Sequence, residues 1–186
     1  MAVTCPQPVD FLNTEQCLEN LAGLGNDIYV GLKSELKAPL TATDNQYSKP
    51  EFQTGKGLYK VQCADDKQQI QGSSLGYRKG FELTCNFAID TVSPTGGKLA
   101  RAINNNDIFI ISKDNDTSQI MYDPFRKVKF DSGGITTDTG AAPSDDRMTN
   151  FAAKLSPVAY PNLYVEEPET GWDSLLASKA ASSSGS

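Results

Sequence analysis

Residues Phe81–Ile89 read FELTCNFAI, and this stretch decides the fold class. Apolar side chains occupy every odd-numbered position, and polar or small residues stand at the even-numbered positions between them. A period of two is typical of a β-strand that turns one face to a core and the other to water or to a partner. The stretch therefore predicts a β-rich protein.

Further segments have the alternation or the short apolar run expected of strands. They are residues 27–32, 57–64, 107–111, 119–122, 128–130, 147–158 and 163–165. Residues 107–111 form a nearly continuous apolar run, which predicts a strand covered on both faces. Residues 67–75 contain three glutamines and are polar on both faces. That composition predicts an edge strand, or a hairpin that pairs with another subunit.

Three helices are predicted beside these strands. A capping pattern that starts at Asn13 predicts a short N-terminal helix. Ser93 followed by Pro94 matches the residues favoured at the N-cap and first helical positions. This pair predicts a helix that ends in the asparagines of residues 104–106. Residues 172–180 predict a terminal helix.

The elements together predict a mainly β protein. Residues 37–57 and 131–146 are rich in Gly, Pro, Thr and Asp, which predicts two long loops. We expect a β-sandwich or barrel with one flanking α-helix, long inter-strand loops and a short N-terminal helix. The predicted divisions are an N-terminal arm at 1–25, the β-domain at 26–168, and a C-terminal extension with a flexible tail at 169–186.

The charge of the chain argues against nucleic-acid recognition. The 186 residues suit one domain with a real core, and their formal net charge is −6. An acidic chain repels phosphate backbones and anionic membranes. From Asp131 to Thr170 there are seven Asp or Glu and two Lys or Arg, a net of −5 (−7 + 2). Most of the acidic excess therefore lies in this part of the chain.

The four cysteines predict no metal site, because they form no C-x-x-C pair and the chain contains no histidine. Cys63 and Cys85 fall on apolar strand faces, where cysteine acts as a small hydrophobic residue. Cys5 and Cys17 could pair in an oxidising compartment, although a reduced cytoplasmic protein is the simpler interpretation. The sequence also predicts neither an export signal nor a membrane span, which needs roughly 18 apolar residues.

The lack of histidine also limits the possible chemistry. It excludes nucleophilic catalysis by a Ser-His or Cys-His pair. Asp114, Asn115 and Asp116 resemble the opening of a calcium loop. Gln119 stands where that loop requires Gly, however, and Phe125 stands where it requires Glu. A solvated turn is therefore the preferred interpretation.

Two carboxylate doublets complete the search for an active site. They are Asp145-Asp146 and Glu166-Glu167. Adjacent residues of a strand point to opposite faces, so neither doublet forms a converging catalytic pair by itself. The sequence thus predicts no enzyme, and no catalytic, cofactor-binding or metal-binding residue.

The order of the elements is more specific than any single motif. A long early loop at residues 37–57 lies among the first strands, and a helix capped by Ser93 and Pro94 follows the alternating strand. An apolar strand, a hairpin, an acidic Gly and Asp loop, and a final strand that ends near residues 161–164 complete the order. This layout resembles the tail tube (major tail) proteins of long-tailed bacteriophages over roughly residues 26–167.

The resemblance implies a structural protein of the virion tail. In that family one β-sandwich or barrel domain forms hexameric rings, and the rings stack into the conduit for DNA ejection. The implied partners are other copies of the chain, other tail proteins, and DNA that passes without specific binding. No membrane is involved, and assembly would occur in the cytoplasm of the bacterial host.

The resemblance also implies roles for particular segments. Residues 37–57 would reach an adjacent subunit or ring, and residues 67–75 would pair across protomers. The acidic excess would suit a lumen that passes DNA without holding it, because like charges repel. The candidates to face the lumen are Asp131, Asp138, Asp145 and Asp146.

Two other functions fit the sequence. A carbohydrate- or receptor-binding β-sandwich would need an aromatic stacking surface. Its candidate residues are Tyr29, Tyr47, Tyr59, Tyr77 and Trp172. Because Trp172 is the only tryptophan and lies in the C-terminal extension, this interpretation is less favoured. Another virion component, such as a tail terminator or a capsid decoration protein, is the other possibility.

Overall fold

The computed structural model describes residues 24–114, 117–142 and 145–177. In order, the elements of this part are β1 (Leu24–Leu32), a 3-10 helix (Lys33–Glu35), β2 (Ala42–Thr43), β3 (Gln46–Tyr47), β4 (Tyr59–Gln62), β5 (Gln69–Ser74), β6 (Phe81–Ile89), α1 (Pro94–Asn105), β7 (Ile108–Asp114), β8 (Ser118–Met121), β9 (Lys129–Asp138), β10 (Met148–Val158), β11 (Tyr164–Val165) and a 3-10 helix (Trp172–Leu175). The predicted mainly β class with one flanking helix is confirmed. The predicted N-terminal helix, with Cys5 and Cys17, lies outside the described residues.

The strands of this part form two sheets that pack as a sandwich. The larger sheet has seven strands in the order β2-β3-β11-β8-β7-β1-β4, and the smaller has four in the order β5-β6-β10-β9. Neighbouring strands are antiparallel, apart from the parallel pair of β3 and β11. One apolar cluster draws its buried side chains from both sheets, so the described residues share a single core.

The alternation that predicted β6 is confirmed by the core of the smaller sheet. Leu83, Cys85 and Phe87 are buried, and their neighbours Glu82 and Thr84 are half-exposed. Phe87 stacks on Phe151, its partner on β10, with ring centroids 4.6 Å apart. One face of this sheet therefore forms part of the core.

The larger sheet is covered on both faces. Residues 108–112 of β7 are fully buried, which confirms the prediction from their continuous apolar run. For β1 the alternation predicted Ile28, Val30 and Leu32 on one face, and of these Ile28 and Val30 are buried and Leu32 is half-buried. Tyr29 and Gly31 on the opposite face are also buried, which the alternation did not predict. The second face is buried by chain segments that lie far from β1 in sequence.

Residues 37–57 form part of this outer layer. The segment is a loop interrupted by the two-residue strands β2 and β3, and it packs on its own sheet. Phe52 stacks on Phe109 of β7 with ring centroids 6.4 Å apart. The backbone N–H of Leu40 donates a hydrogen bond to the Tyr122 hydroxyl at 3.1 Å. Contact of this segment with a neighbouring copy stays a prediction.

The C-terminal segment completes the outer layer. Trp172 is buried and its indole N–H donates to the Ser118 hydroxyl at 2.9 Å. The predicted terminal helix is wrong for residues 172–176, where a four-residue 3-10 helix is followed by Leu176 in an extended conformation, and residues 178–180 lie outside the described part of the chain. The Leu58 N–H donates to the Leu175 carbonyl at 2.8 Å, and Leu58 also forms a parallel bridge with Leu176. Burial of the tryptophan against the sheet thus prevails over local helix propensity.

The second predicted loop is also largely wrong. Residues 131–146 were expected to be irregular, but β9 continues through Asp138 and pairs with β10. Ile135, Thr136 and Thr137 are β-branched and favour a strand. Residues 131–134, which include the two glycines, form a bulge opposite Ala152. The glycines and aspartates of this segment therefore mark a bulge and a turn rather than one long loop.

The flanking helix begins where the sequence predicted. The Ser93 hydroxyl accepts a hydrogen bond from the Gly96 N–H at 3.1 Å, and Pro94 is the first helical residue. Ile103 is buried in the core, and the helix ends at Asn105. The helix lies alongside β9, at one side of the smaller sheet.

Candidate functional site

The two edge strands of the four-stranded sheet are the candidate site. β5 and β9 each pair with one neighbour, and no strand among the described residues pairs with their other sides. The larger sheet differs, because its edges are the two-residue strand β2 and the four-residue strand β4. An unpaired strand offers a row of backbone donors and acceptors to another chain. β5 has six residues and β9 has ten, and those whose backbone groups point to the open side are available in this way.

The hydrogen bonds between β5 and β6 show which backbone N–H groups of β5 face the open side. The Leu75 N–H donates to the Gly80 carbonyl at 3.0 Å, and the register from Leu75 back to Gln69 continues without a shift. In an antiparallel pair, alternate residues direct their backbone groups toward the same neighbour. The N–H groups of Ile70, Gly72 and Ser74 therefore point away from β6, toward the open side.

The side chains of β5 are also those expected of a strand at the edge of a sheet. Gln69, Gln71 and Ser73 are exposed, and Ile70 is half-buried on the core side. The prediction that this polar segment is an edge strand is confirmed within the subunit. Its pairing with another copy stays a prediction.

The sequence predicted a strand at residues 128–130, where β9 begins, but missed its continuation to Asp138 and its position at the edge of the sheet. Phe130 and Ile135 lie opposite the buried Ala153 and Phe151 of β10, but they are only half-buried themselves. Together with Ala100 of α1 they line a cleft of about 330 Å³. The core is therefore incompletely covered along β9. The β-branched residues that follow the glycines were the signal that could have revealed this strand.

The outer face of the four-stranded sheet is polar and carries little net charge. Its middle strands direct Glu82, Thr84, Asn86, Asn150 and Lys154 away from the core. The Lys154 ammonium lies 2.7 Å from the Asp131 carboxylate, and this hydrogen bond raises the pKa of Lys154. Uncharged amides and hydroxyls are thus the main feature of this face.

The predicted acidic candidates are not gathered on that face. Asp131 lies on β9 and is paired with Lys154, whereas the other three lie at or beyond the end of β9. Asp138 accepts a hydrogen bond from the Gly140 N–H at 2.8 Å. Asp145 accepts from the Ala141 and Ala142 N–H groups at 2.9 and 2.8 Å. Asp146 is exposed in the same turn.

The aromatic candidates do not form a stacking surface. Tyr29, Tyr47 and Trp172 are buried, whereas Tyr59 on β4 is 43% exposed and Tyr77 in the β5–β6 turn is 83% exposed. Burial, with a 2.9 Å hydrogen bond to Asp173, raises the pKa of Tyr29 to about 12. Tyr59 and Tyr77 belong to different sheets, so they offer no common platform.

Other candidate groups have structural partners. Cys63 and Cys85 are free and buried, and burial raises the pKa of each thiol to about 12. Their interpretation as small hydrophobic residues is confirmed. Glu167 of the second carboxylate doublet pairs with Lys113 at 2.8 Å, and its neighbour Glu166 is exposed.

Neither a metal cluster nor a membrane span is found in the part of the chain that the structure describes. No group of three or more metal-ligating side chains comes together there. Among the same residues, no helix combines the length and the apolar character needed to cross a bilayer. The two ends of the possible calcium turn, Asp114 and residue 117, are described, but its central residues 115–116 are not.

Comparisons with known proteins add no relative. The chain matches no protein-family model, no curated protein and no solved structure.

Proposed function

We propose that this protein is a structural subunit that closes into a ring through the two open edges of its four-stranded sheet. The ring proposed is the hexamer of a bacteriophage tail tube, and stacked rings form the conduit for DNA ejection. The observation that carries the proposal is the presence of long unpaired strands, β5 and β9, at both edges of the same sheet.

The direction of the two edge strands is compatible with closure. β5, β6, β10 and β9 are antiparallel in turn, so β5 and β9 run in opposite directions. Rotation about a ring axis that lies along the strands leaves each strand's axial direction unchanged. The β9 edge of one copy would therefore meet the β5 edge of the next as an antiparallel pair. This is the arrangement of the other pairs in the sheet.

Apolar contacts would accompany the backbone hydrogen bonds. Ile70 of one copy faces the core side of β5, and Phe130 and Ile135 face the core side of β9. Edge pairing would bring these half-buried side chains beside one another and would extend the core from one subunit into the next.

Six copies give a closed sheet of suitable size. Four strands from each of six subunits make 24 strands (4 × 6). With about 4.8 Å between strands, the circumference is about 115 Å and the diameter between backbones about 37 Å. Barrels of about 16–18 strands already leave an aqueous channel. A 24-stranded barrel is therefore wide enough for a DNA duplex.

The lumen would be lined by the polar outer face of the sheet. Most of its side chains are uncharged, and Lys154 is paired with Asp131. Because affinity for DNA rises with the number of cations that neutralise phosphates, such a wall holds DNA weakly. The acidic excess at the β9–β10 turn would lie at a rim of the ring rather than along its wall.

Sedimentation over a protein concentration series, with negative-stain microscopy, tests the ring. We expect a hexameric mass and annular particles for the natural chain. The Ser74→Pro variant removes an N–H that points to the open side of β5, so it should remain a folded monomer. Ile70→Lys places a charge at the same junction and provides a second test. Gln62→Lys, on the exposed edge of the other sheet, is the matched control and should form rings.

The outcomes separate the candidate functions. A chain that stays monomeric at every concentration and binds a glycan array would support the carbohydrate-binding alternative and contradict the proposal. Single rings that never stack would support a tail terminator. Rings formed equally well by the Ser74→Pro, Ile70→Lys and Gln62→Lys variants would contradict pairing through β5.

A further inference from the structure

The turns at the two ends of the four-stranded sheet carry opposite charges. At one end lie the described residues of segments 64–68, 90–93 and 138–147. Their acidic residues are Asp65, Asp66, Asp90, Asp138, Asp145 and Asp146. With Lys67 and Arg147 the sum is −4 (−6 + 2). We call this region the acidic end. None of its six carboxylates forms an ion pair within the described residues.

The opposite end comprises segments 75–80, 122–129 and 157–163. Its basic residues are Arg78, Lys79, Arg126, Lys127 and Lys129. Glu82 of β6 lies two residues nearer this end than Lys129 in the register of the sheet. With Asp123 and Glu82 the sum is +3 (+5 − 2), which is opposite in sign to the acidic end. We call this region the basic end. Lys33 and Asp107 lie beside it and together leave the sum unchanged. Asp107 pairs with Lys33 at 3.3 Å and with Lys127 of the basic end at 3.7 Å.

The basic end also exposes apolar side chains. Four large hydrophobic residues of the described chain are exposed, and three of them lie here. Phe125 is 91% exposed and Tyr77 is 83% exposed, and Leu75 adjoins the same turn as Tyr77. The Arg78 guanidinium lies over the Tyr77 ring, 5.0 Å from its centroid. Exposed aromatic and arginine side chains together are typical of a protein interface.

From these observations we infer that the basic end of one copy docks on the acidic end of a second copy. The opposite charges, +3 and −4, argue for the same chain as the occupant, since each end lacks what the other presents. Such a head-to-tail contact uses two different surfaces and propagates without closing. The inference rests on the proposed function, in which it describes how one ring stacks on the next. All rings would then point in one direction.

The contact should depend on salt and on the sign of the end charges. The Debye length, over which salt screens the interaction between charges, shortens from about 10 Å at 0.1 M salt to about 3 Å at 1 M. Tubes of the natural chain should therefore shorten at least about tenfold over that range, while the rings, held by backbone pairing, persist. Ring mass by sedimentation and tube length by negative-stain microscopy give separate readings of the two steps.

Charge-reversed variants test the surfaces directly. The first, Arg78→Glu with Lys79→Glu, changes the charge of the basic end from +3 to −1. The second, Asp90→Lys with Asp146→Lys, changes the charge of the acidic end from −4 to 0. Preformed rings of either variant alone should not stack. An equimolar mixture should form stacks of two rings, because the unaltered basic end of the second variant then meets the unaltered acidic end of the first. The control, Lys49→Glu with Lys98→Glu, changes the net charge as much as the first variant but lies outside both ends.

Each outcome decides a different point. Rings of the natural chain that do not stack at low salt would overturn this inference and leave the ring proposal intact, whereas the absence of rings would overturn both. Stacking by either reversed variant alone, or failure of the mixture to stack, would also overturn it. If natural rings do not stack but bind a labelled DNA duplex at 0.15 M salt, and lose it with Arg78→Glu and Lys79→Glu, the basic end serves nucleic acid instead.

Discussion

The substitution Gly31→Ala tests the packing of the larger sheet most sharply. Gly31 on β1 lies opposite Phe109 on β7, and a Cβ added there would come 2.1 Å from the Cζ atom of the phenylalanine ring. That ring is fully buried, with Phe52 and Tyr122 centred 6.4 and 5.9 Å away. A shift of the ring would therefore disturb these two neighbouring rings. The glycine therefore leaves room for an aromatic ring that crosses the strand.

The expected magnitude follows from two opposing effects. Overpacking a well-filled core costs about 1–3 kcal/mol. Replacing a strand glycine by alanine stabilises the fold by about 0.5–1 kcal/mol, because it lowers the conformational entropy of the unfolded chain. The net loss in free energy of unfolding should be about 0.5–2 kcal/mol. That corresponds to a fall of about 1–8 °C in Tm for a chain of this size.

The assay is urea unfolding followed by the fluorescence of Trp172, the only tryptophan in the chain. It should be run at a protein concentration where sedimentation detects monomer, since assembly adds stability. Gly97→Ala is the matched control, because nothing lies within 4 Å of its added Cβ on α1. This control should gain about 0.5–1 kcal/mol.

The same substitution in a Phe109→Leu variant tests whether contact with the ring causes the loss of stability. Phe109→Leu removes the ring atoms that meet the added methyl group, so Gly31→Ala should cost less in that background, with a coupling of about 0.5–3 kcal/mol. The reasoning is refuted if Gly31→Ala stabilises the natural protein, or if it costs the same in both backgrounds.

Three further predictions concern a buried ring, two thiols and a helix cap. Trp172→Ala should lower the free energy of unfolding by about 3–5 kcal/mol in a thermal or urea melt, because the indole is buried in the outer layer. With Cys5 and Cys17 replaced by serine, stability should fall as the pH rises above 9. The buried thiols of Cys63 and Cys85 stay neutral up to about pH 12, while the unfolded thiols ionise near their ordinary pKa of 9.0. Ser93→Ala should cost about 1 kcal/mol through loss of the helix cap.

Controls make these three predictions decisive. Ser34→Ala, at an exposed serine, should leave stability within about 0.5 kcal/mol, and an equal effect at Ser93 would contradict the role of the cap. Replacing Cys63 and Cys85 by alanine should weaken the alkaline fall, and an unchanged fall would assign it to other groups, such as Tyr29. Unaltered melting of Trp172→Ala would show that the C-terminal segment does not stabilise the sandwich.

Local patterns were enough to predict much of the fold. The alternation of Phe81–Ile89 gave the correct buried face, and Ser93 with Pro94 placed the start of the helix within one residue. The apolar run of residues 107–111 identified a doubly covered strand. In each case the signal lies within a few residues along the chain, where side-chain period and capping chemistry act.

The remaining features depend on contacts between distant segments. The second face of β1 is buried by Trp172, which lies more than a hundred residues further along the chain. β9 was obscured by Gly133 and Gly134, whose bulge resembles a loop in sequence. Consequently the polar edge at β5 was predicted. The second edge, at β9, and the opposite charges at the two ends of the four-stranded sheet became visible only once the order of the strands was known.

A cryo-electron microscopy map of the assembled particle tests the central claim most directly. The account predicts a continuous β-barrel in which β9 of each subunit pairs antiparallel with β5 of the next, with six subunits in a ring. A particle in which β5 and β9 remain unpaired, and the subunits meet through other surfaces, would contradict it.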